Sequence, residues 1–190
     1  MLRDGYNVRA VARNATSASS ILLPNPTNEA VGNLPRGQKG IGSLDVRQLS
    51  LLDSGNDEAL RSSVREASGV VLTVGTTAFP TKKWNGGNTP NAIDNLAVRR
   101  VCDALIKERK NPIKVVLVTS VGVERTQAFP FLILNLFGVL DAKRSGEEAV
   151  KEMAATSGGT LDYAIIRPGR LVGGPYTNLD LAKLMQIEGK

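Results

Sequence analysis

The chain of 190 residues contains no histidine, which excludes every Ser-His-Asp or Cys-His nucleophile, every imidazole base and every histidine metal ligand. Its one cysteine, Cys102, excludes an internal disulfide, a CxxC pair and a cysteine zinc site. Flanked by Val101, Asp103, Ala104 and Leu105, this thiol is expected to be a small buried apolar group, as suits a reducing compartment. Aromatic residues make up 4% of the chain, too few for the stacking surface of a nucleic-acid reader. The basic residues are scattered, and the tightest groups are the pairs Lys82-Lys83 and Arg99-Arg100. Nucleic acid is therefore not an expected partner of the net charge of +6, whereas the phosphate of a small ligand is compatible with it. The uncharged stretch from Thr126 to Leu140 is interrupted by Pro130, Asn135 and Gly138. It falls short of the ~20 apolar residues of a spanning helix, so no transmembrane span is expected. Met1 is followed by Leu2, Arg3 and Asp4 and then at once by a strand-like run, which reads as neither a signal nor a transit peptide. No GxGxxG or GxxGxxG occurs. Gly37, Gly40 and Gly42 are close together, but no apolar strand leads into Gly37 and no helix follows Gly42, so a turn is expected there and not a phosphate loop.

What is present suits one soluble domain around one core: 42% hydrophobic residues and 22% charged ones. Apolar runs of strand length alternate with helical stretches, the rhythm of a parallel sheet with crossover helices. The predicted strands are Asn7–Ala12, a weak one near Gly40–Leu44, Gly69–Val74, Ile113–Thr119 and Leu161–Arg167. The third and fourth are continuously apolar and β-branched, as expected of central strands covered on both faces. Predicted helices are Asp57–Ala67, Asn91–Arg109, Leu179–Ile187, and an apolar segment from Pro130 to about Leu140 running into Asp141–Thr156. That last helix stops at Ser157-Gly158-Gly159. Met1–Gly5 reads as a helix end, and Asn14–Gly37 as a long connection with a short helix near Ser17–Leu23. No internal repeat is evident. The apolar residues of Thr126–Leu140 occupy nearly every helical direction, which predicts burial or a subunit interface, or else a docking face for a partner or a membrane surface. Lys82-Lys83-Trp84, in a loop rich in Gly and Asn, is either a pocket lid or a surface loop.

Several pieces match one family in order and spacing. They are Asn7-Val8-Arg9-Ala10-Val11-Ala12-Arg13 at a second strand, Gly42-Ser43-Leu44-Asp45-Val46 after a third, and Val74-Gly75-Thr76-Thr77-Ala78-Phe79-Pro80 after a fourth. Leu117-Val118-Thr119-Ser120-Val121-Gly122-Val123 follows at a fifth, then Lys143 and Glu147 in a helix. Leu161 to Leu171, with Arg167-Pro168-Gly169-Arg170, and Gly174-Pro175-Tyr176-Thr177 complete the set. Together they resemble the atypical short-chain dehydrogenase/reductase group, in particular its NmrA-like NAD(P)-binding Rossmann proteins of chloroplasts. The resemblance implies an α/β fold, a Rossmann-like parallel sheet with helices on both faces. It also implies NADP as cofactor and a chloroplast setting. The family's first strand and glycine-rich turn have no counterpart before Asn7, nor its closing strand before Lys190. Residues 1–190 are thus read as a single partial Rossmann domain, truncated at both ends, with a gap where the first strand would lie between the second and fourth.

In an open parallel sheet, ligands lie beyond the carboxyl ends of the strands. The resemblance accordingly assigns Arg13 to the adenosine 2′-phosphate, favouring NADP over NAD. It assigns Asp45 and Val46 to the adenine, Gly75 and Thr76 to close backbone approach, and Thr119 and Ser120 to the nicotinamide side. Lys143 would hold the nicotinamide ribose, and Pro168 and Gly169 would pass the carboxamide, with Arg170 facing the substrate. Plainer roles stay open for each: a solvated Arg13, an N-cap Asp45, ordinary turns at Gly75-Thr76 and Pro168-Gly169, a turn-capping Ser120, and Lys143 paired with Glu147. The family's proton-donating Tyr stands four residues before the Lys, and here that position is Val139. Neither Tyr163, in a predicted strand, nor Tyr176 has the required spacing. Lys143 and Ser120 are left as the catalytic candidates of an NADP-dependent reductase, and a non-catalytic NADP(H) sensor or assembly protein is the other reading.

Overall fold

A computed structural model of the chain describes residues 5–22, 42–109 and 111–169. The architecture is mixed α/β with parallel strands, as the sequence predicts. Two compact units divide near Glu66, and each is described by itself.

In the first unit, β1 (Val8–Ala12) pairs in parallel with β2 (Leu44–Gln48), in the register Val8 to Leu44 through Ala12 to Gln48. The expected strand near Gly40–Leu44 is thus displaced toward the C-terminus, and Asp45 and Val46 lie inside it and not after it. The backbone ladder with β1 sets these bounds, and within it Arg9 stands opposite Asp45, with both Arg9 Nε (3.1 Å) and Arg47 Nε (2.8 Å) donating to Asp45 Oδ2 across and along the ladder. Helix α1 (Ala15–Leu22) begins after Asn14, whose side chain accepts from Ser17 N–H at 2.9 Å. Helix α2 (Asp57–Val64) carries Asp57 and Glu58 in its first turn, where they complement the helix dipole. Its last carbonyls, Ser62 and Ser63, accept from Arg9 Nη1 at 3.4 and 3.0 Å.

In the second unit, β3 (Gly69–Leu72), β4 (Ile113–Val118) and β5 (Leu161–Ile166) form a parallel sheet in the order β3-β4-β5. The described strands thus make a pair in one unit and a triplet in the other. Only β4 is central. β3 lies at the edge, with Val71 46% exposed, which corrects the expectation that both apolar strands are covered on both faces. Ile113, Val115 and Leu117 alternate with exposed Lys114, so one sheet face carries the core. Helix α3 (Ala97–Glu108) presents Val98, Val101, Cys102 and Leu105 at helical spacing, all buried. Burial pushes the Cys102 thiol up to about 12, so it is the inert core group expected.

The segment from Pro130 is not one helix. Helix α4 (Phe131–Leu134) ends in a turn, and Gly138 adopts φ 73° before α5 (Val139–Thr156) starts. Nor is the segment buried. Phe129 is 74% exposed and Leu136 65%, with Leu132, Ile133 and Phe137 also exposed, because a helix of four residues has too little length to turn its apolar side inward. No helix among the described residues is long and apolar enough to cross a membrane. The expected helix Leu179–Ile187, most of the Asn14–Gly37 connection, Gly37, Gly40, Arg170, the Gly174–Thr177 stretch and Met1–Asp4 lie outside the described residues.

Candidate functional site

The chain enters α3 through one π-helical turn, Asn91–Leu96, a wider turn that recurs at functional positions. It carries Asp94, which is 4% exposed. Helix α5 crosses this turn at Gly146, where any Cβ would overlap the Asp94 carbonyl oxygen. The missing side chain permits that close approach, and one turn earlier on α5 it brings Lys143 Nζ to 2.5 Å from Asp94 Oδ1. Lys143 therefore pairs with Asp94 and not with Glu147. Gly75 completes the group, since a Cβ there would lie 3.1 Å from Lys143 Nζ and 3.5 Å from Asp94 Oδ1. Burial pushes the Asp94 carboxyl above its ordinary range, against the Lys143 ammonium and the Thr76 backbone N–H, which favour its charge. Asp94 Oδ2 is buried and has no hydrogen-bond partner among the described residues.

A second cluster surrounds Glu147, which is 1% exposed. It accepts from Thr119 Oγ1 at 2.5 Å and from Arg167 at 3.0 Å (Nε) and 2.6 Å (Nη2), and Arg167 Nη1 also bonds to Glu124. Burial would raise the Glu147 carboxyl, but the Arg167 and Thr119 hydrogen bonds prevail and hold it below its ordinary value. The only hydroxyl proton of Thr119 is thereby committed to Glu147, leaving that oxygen as an acceptor toward anything else.

Ser120 caps the short 3₁₀ turn Val121–Glu124 by accepting from Gly122 N–H at 3.4 Å. The Thr119 N–H continues the β4–β5 ladder to the Ile166 carbonyl at 2.9 Å, and Val121 N–H reaches the Pro168 carbonyl at 3.1 Å. The loops after β4 and β5 are thus tied together, and Gly169 follows, with nothing among the described residues within 4 Å of a notional Cβ. Val139 opens α5, on the side of the helix that carries Lys143, and is 4% exposed. Tyr163 lies in β5, as expected. Trp84 lies in a short 3₁₀ segment, Lys82–Gly87; its Nε1 donates to Thr77 Oγ1 at 3.1 Å, and its ring meets Phe137 edge-on at 6.1 Å. Phe79 meets Phe137 at 5.9 Å.

In the first unit Arg13 follows β1, is exposed, and makes no ion pair or hydrogen bond among the described residues. Asp45 is held below its ordinary range by Arg47 and then Arg9. Val46 is half-buried opposite Ala10.

Sequence reasoning did not single out Asp94, Gly146, Glu124 or Arg167. Two signals were available. Asp94 is a charge on the apolar stripe that continues as Ala97 and Val98, and Gly146 is a glycine in a helix interior, worth about 1 kcal/mol less than alanine there unless packing requires it. A buried oxygen that needs a donor, beside a cation that needs an acceptor, fits a group that does both, such as an alcohol hydroxyl.

A family model described as NAD(P)H-binding matches residues 38–186. Over its whole length the chain is 30% identical to Protein TIC 62, chloroplastic, of Arabidopsis thaliana, covering 31% of that protein. It is 29% identical to the Pisum sativum protein of the same name, covering 37% of it. The chain thus spans about a third of the length of these curated relatives. Among solved structures, the bulky-bulky ketone specific alcohol dehydrogenase from Comamonas testosteroni matches with a TM-score of 0.61 at 14% identity, covering 96% of this chain and 73% of that one. The likeness establishes the Rossmann-type fold, and these matches agree with the resemblance to atypical short-chain dehydrogenases/reductases.

Proposed function

Because the chain belongs to the NAD(P)H-binding family, we propose that it is an NADP(H)-binding module of the atypical short-chain type that reports cofactor occupancy without turning over. The observation that carries this reading is the buried Val139 on the Lys143 side of α5, where the family places its phenol. An aliphatic side chain exchanges no proton, and the Thr119 hydroxyl directs its proton into a hydrogen bond to Glu147.

The proposed roles follow the chemistry of each group. Arg13, exposed and unengaged among the described residues, takes the 2′-phosphate with its planar fork and so selects NADP over NAD. Both arginines on Asp45 bond to Oδ2, leaving Oδ1 for the adenine amine, with Val46 against the ring. Gly75 and Thr76 bring bare backbone to the cofactor. Lys143, bared by Gly75, donates to the nicotinamide ribose, while Pro168 and Gly169 pass the carboxamide. The bound nicotinamide is the group that would give or take a hydride. Phe129, Leu132, Leu136 and Phe137 form the apolar surface through which occupancy reaches another protein chain. A chloroplast setting is part of this reading, supported by the two relatives that are named chloroplastic.

Titrating NADPH against Trp84 fluorescence, and following NADPH absorbance over a panel of carbonyls and enones, tests the reading. Saturable binding with no substrate-dependent oxidation is expected. Steady oxidation would support the other reading, a reductase in which Ser120 or a water donates the proton; that reading is favoured by a Ser120 hydroxyl whose own proton meets no acceptor among the described residues.

A further inference from the structure

Nothing in the family match or the sequence motifs assigns a role to Asp94, yet the structure builds a site around it. Its carboxylate lies on a π-helical turn, the feature that displaces a residue from ordinary helical register. Its burial is only partly compensated: Oδ1 holds Lys143 Nζ at 2.5 Å and the Thr76 backbone N–H favours the charged form, yet Oδ2 has no hydrogen-bond partner among the described residues. A buried carboxylate oxygen without a donor is costly, and native structures rarely keep one without a use. Two glycines shape the surroundings. Gly146 lets α5 seat Lys143 onto the carboxylate, and Gly75, itself exposed, keeps a side chain from closing over the pair.

We propose that Asp94 is a ligand-contacting and positioning residue: Oδ1 fixes the Lys143 ammonium, and Oδ2 accepts a hydroxyl proton from the nicotinamide-side ribose of the bound dinucleotide. The inference rests on the dinucleotide reading above and deepens it. The two residues act on one diol as complementary partners, Lys143 supplying donors and Asp94 the acceptor. A sugar hydroxyl satisfies both because it donates and accepts at once. The charge of Asp94 also keeps the ammonium in one orientation instead of letting it reach for water.

The test compares two probes on the full chain by isothermal titration: NADPH, and 2′,5′-ADP, which has the adenosine half with its phosphate but no nicotinamide ribose. Asp94→Asn retains the shape but loses the charge, and is expected to weaken NADPH by about tenfold or more while leaving 2′,5′-ADP within about twofold. A merely structural role for Asp94 would weaken both probes alike, and that result overturns the proposal, as does unchanged NADPH affinity. Should Asp94→Asn fail to fold, Gly75→Ala decides, because its methyl group meets the pair itself, 3.1 Å from Lys143 Nζ and 3.5 Å from Asp94 Oδ1. It is expected to weaken NADPH selectively in the same way, and equal binding of NADPH by this variant and the wild type refutes the idea. If the wild-type chain binds 2′,5′-ADP but not NADPH, this inference fails while adenosine-side binding stands; if it binds neither, the dinucleotide reading itself fails.

Discussion

Lys143 and Asp94 stand 49 residues apart in the chain and 2.5 Å apart in space, joined where α5 crosses a π-helical turn at Gly146. The contact decides what Lys143 can do. A lysine paired with Glu147 would be held only by its own helix, through an i to i+4 contact that needs no second element. One held by a buried carboxylate from another element is oriented, and only 15% of its side chain is exposed.

Gly146→Ala should separate the two elements, because the new methyl group overlaps backbone and not a flexible side chain. A loss of ~1–3 kcal/mol is expected from urea unfolding, the range for overpacking. Gly169→Ala, where nothing among the described residues lies within 4 Å, serves as the control and should change stability by less than ~0.5 kcal/mol. Equal losses from the two would remove close helix crossing as the reason for Gly146.

Arg13→Glu should weaken NADPH by about tenfold or more and leave NADH nearly unchanged, since only NADPH carries the phosphate that the guanidinium would fork. Equal effects on both cofactors, measured by titration, take Arg13 out of that role.

Val139→Tyr restores a phenol one turn before Lys143, on the same side of α5. The site is buried, so a stability loss of ~1–3 kcal/mol is expected in thermal melts. NADPH oxidation in the carbonyl panel should rise above the wild-type rate. A folded variant with no added rate would mean that the absent proton donor is not what keeps the wild type from turning over.

Glu147 links stability to pH. Its carboxyl is held below the ordinary 4.5 in the folded state, so the unfolded chain binds the proton more readily there. Stability from this group is therefore fully present above about pH 4.5 and is lost as pH falls through the lower folded value. Glu147→Gln leaves Arg167 without its main partner and should cost ~3 kcal/mol near neutrality. That difference from the wild type should shrink in urea unfolding below about pH 4. A gap independent of pH would show that the loss is one of packing and not of charge.

Phe129→Ser with Leu136→Ser should leave the melting temperature nearly unchanged, because both side chains are largely exposed. Binding of a hydrophobic dye should fall, and with it any self-association seen by light scattering. A fall of several degrees in the melting temperature would mean that the patch is core and not a docking face.

What could be read from the residues alone was whatever depends on local periodicity. The apolar runs of β1, β3, β4 and β5, the amphipathic stripe of α3 and the buried Cys102 all follow from spacing and composition, and the absence of histidine narrowed the chemistry before any element was placed. Val139 in place of a phenol was legible too, since i to i+4 geometry needs no tertiary information. The rest depended on contacts between distant segments. β2 runs from Leu44 because it pairs with β1 in the register Val8 to Leu44, a pairing between distant segments that the apolar pattern of 40–48 does not encode. Lys143 chose Asp94 over Glu147 because a glycine let two helical elements touch, and Glu147 was already taken by Arg167 and Thr119. Side chains select partners by proximity in the packed state, and in that state a missing methyl group at position 146 outweighed the nearness of four residues along one helix.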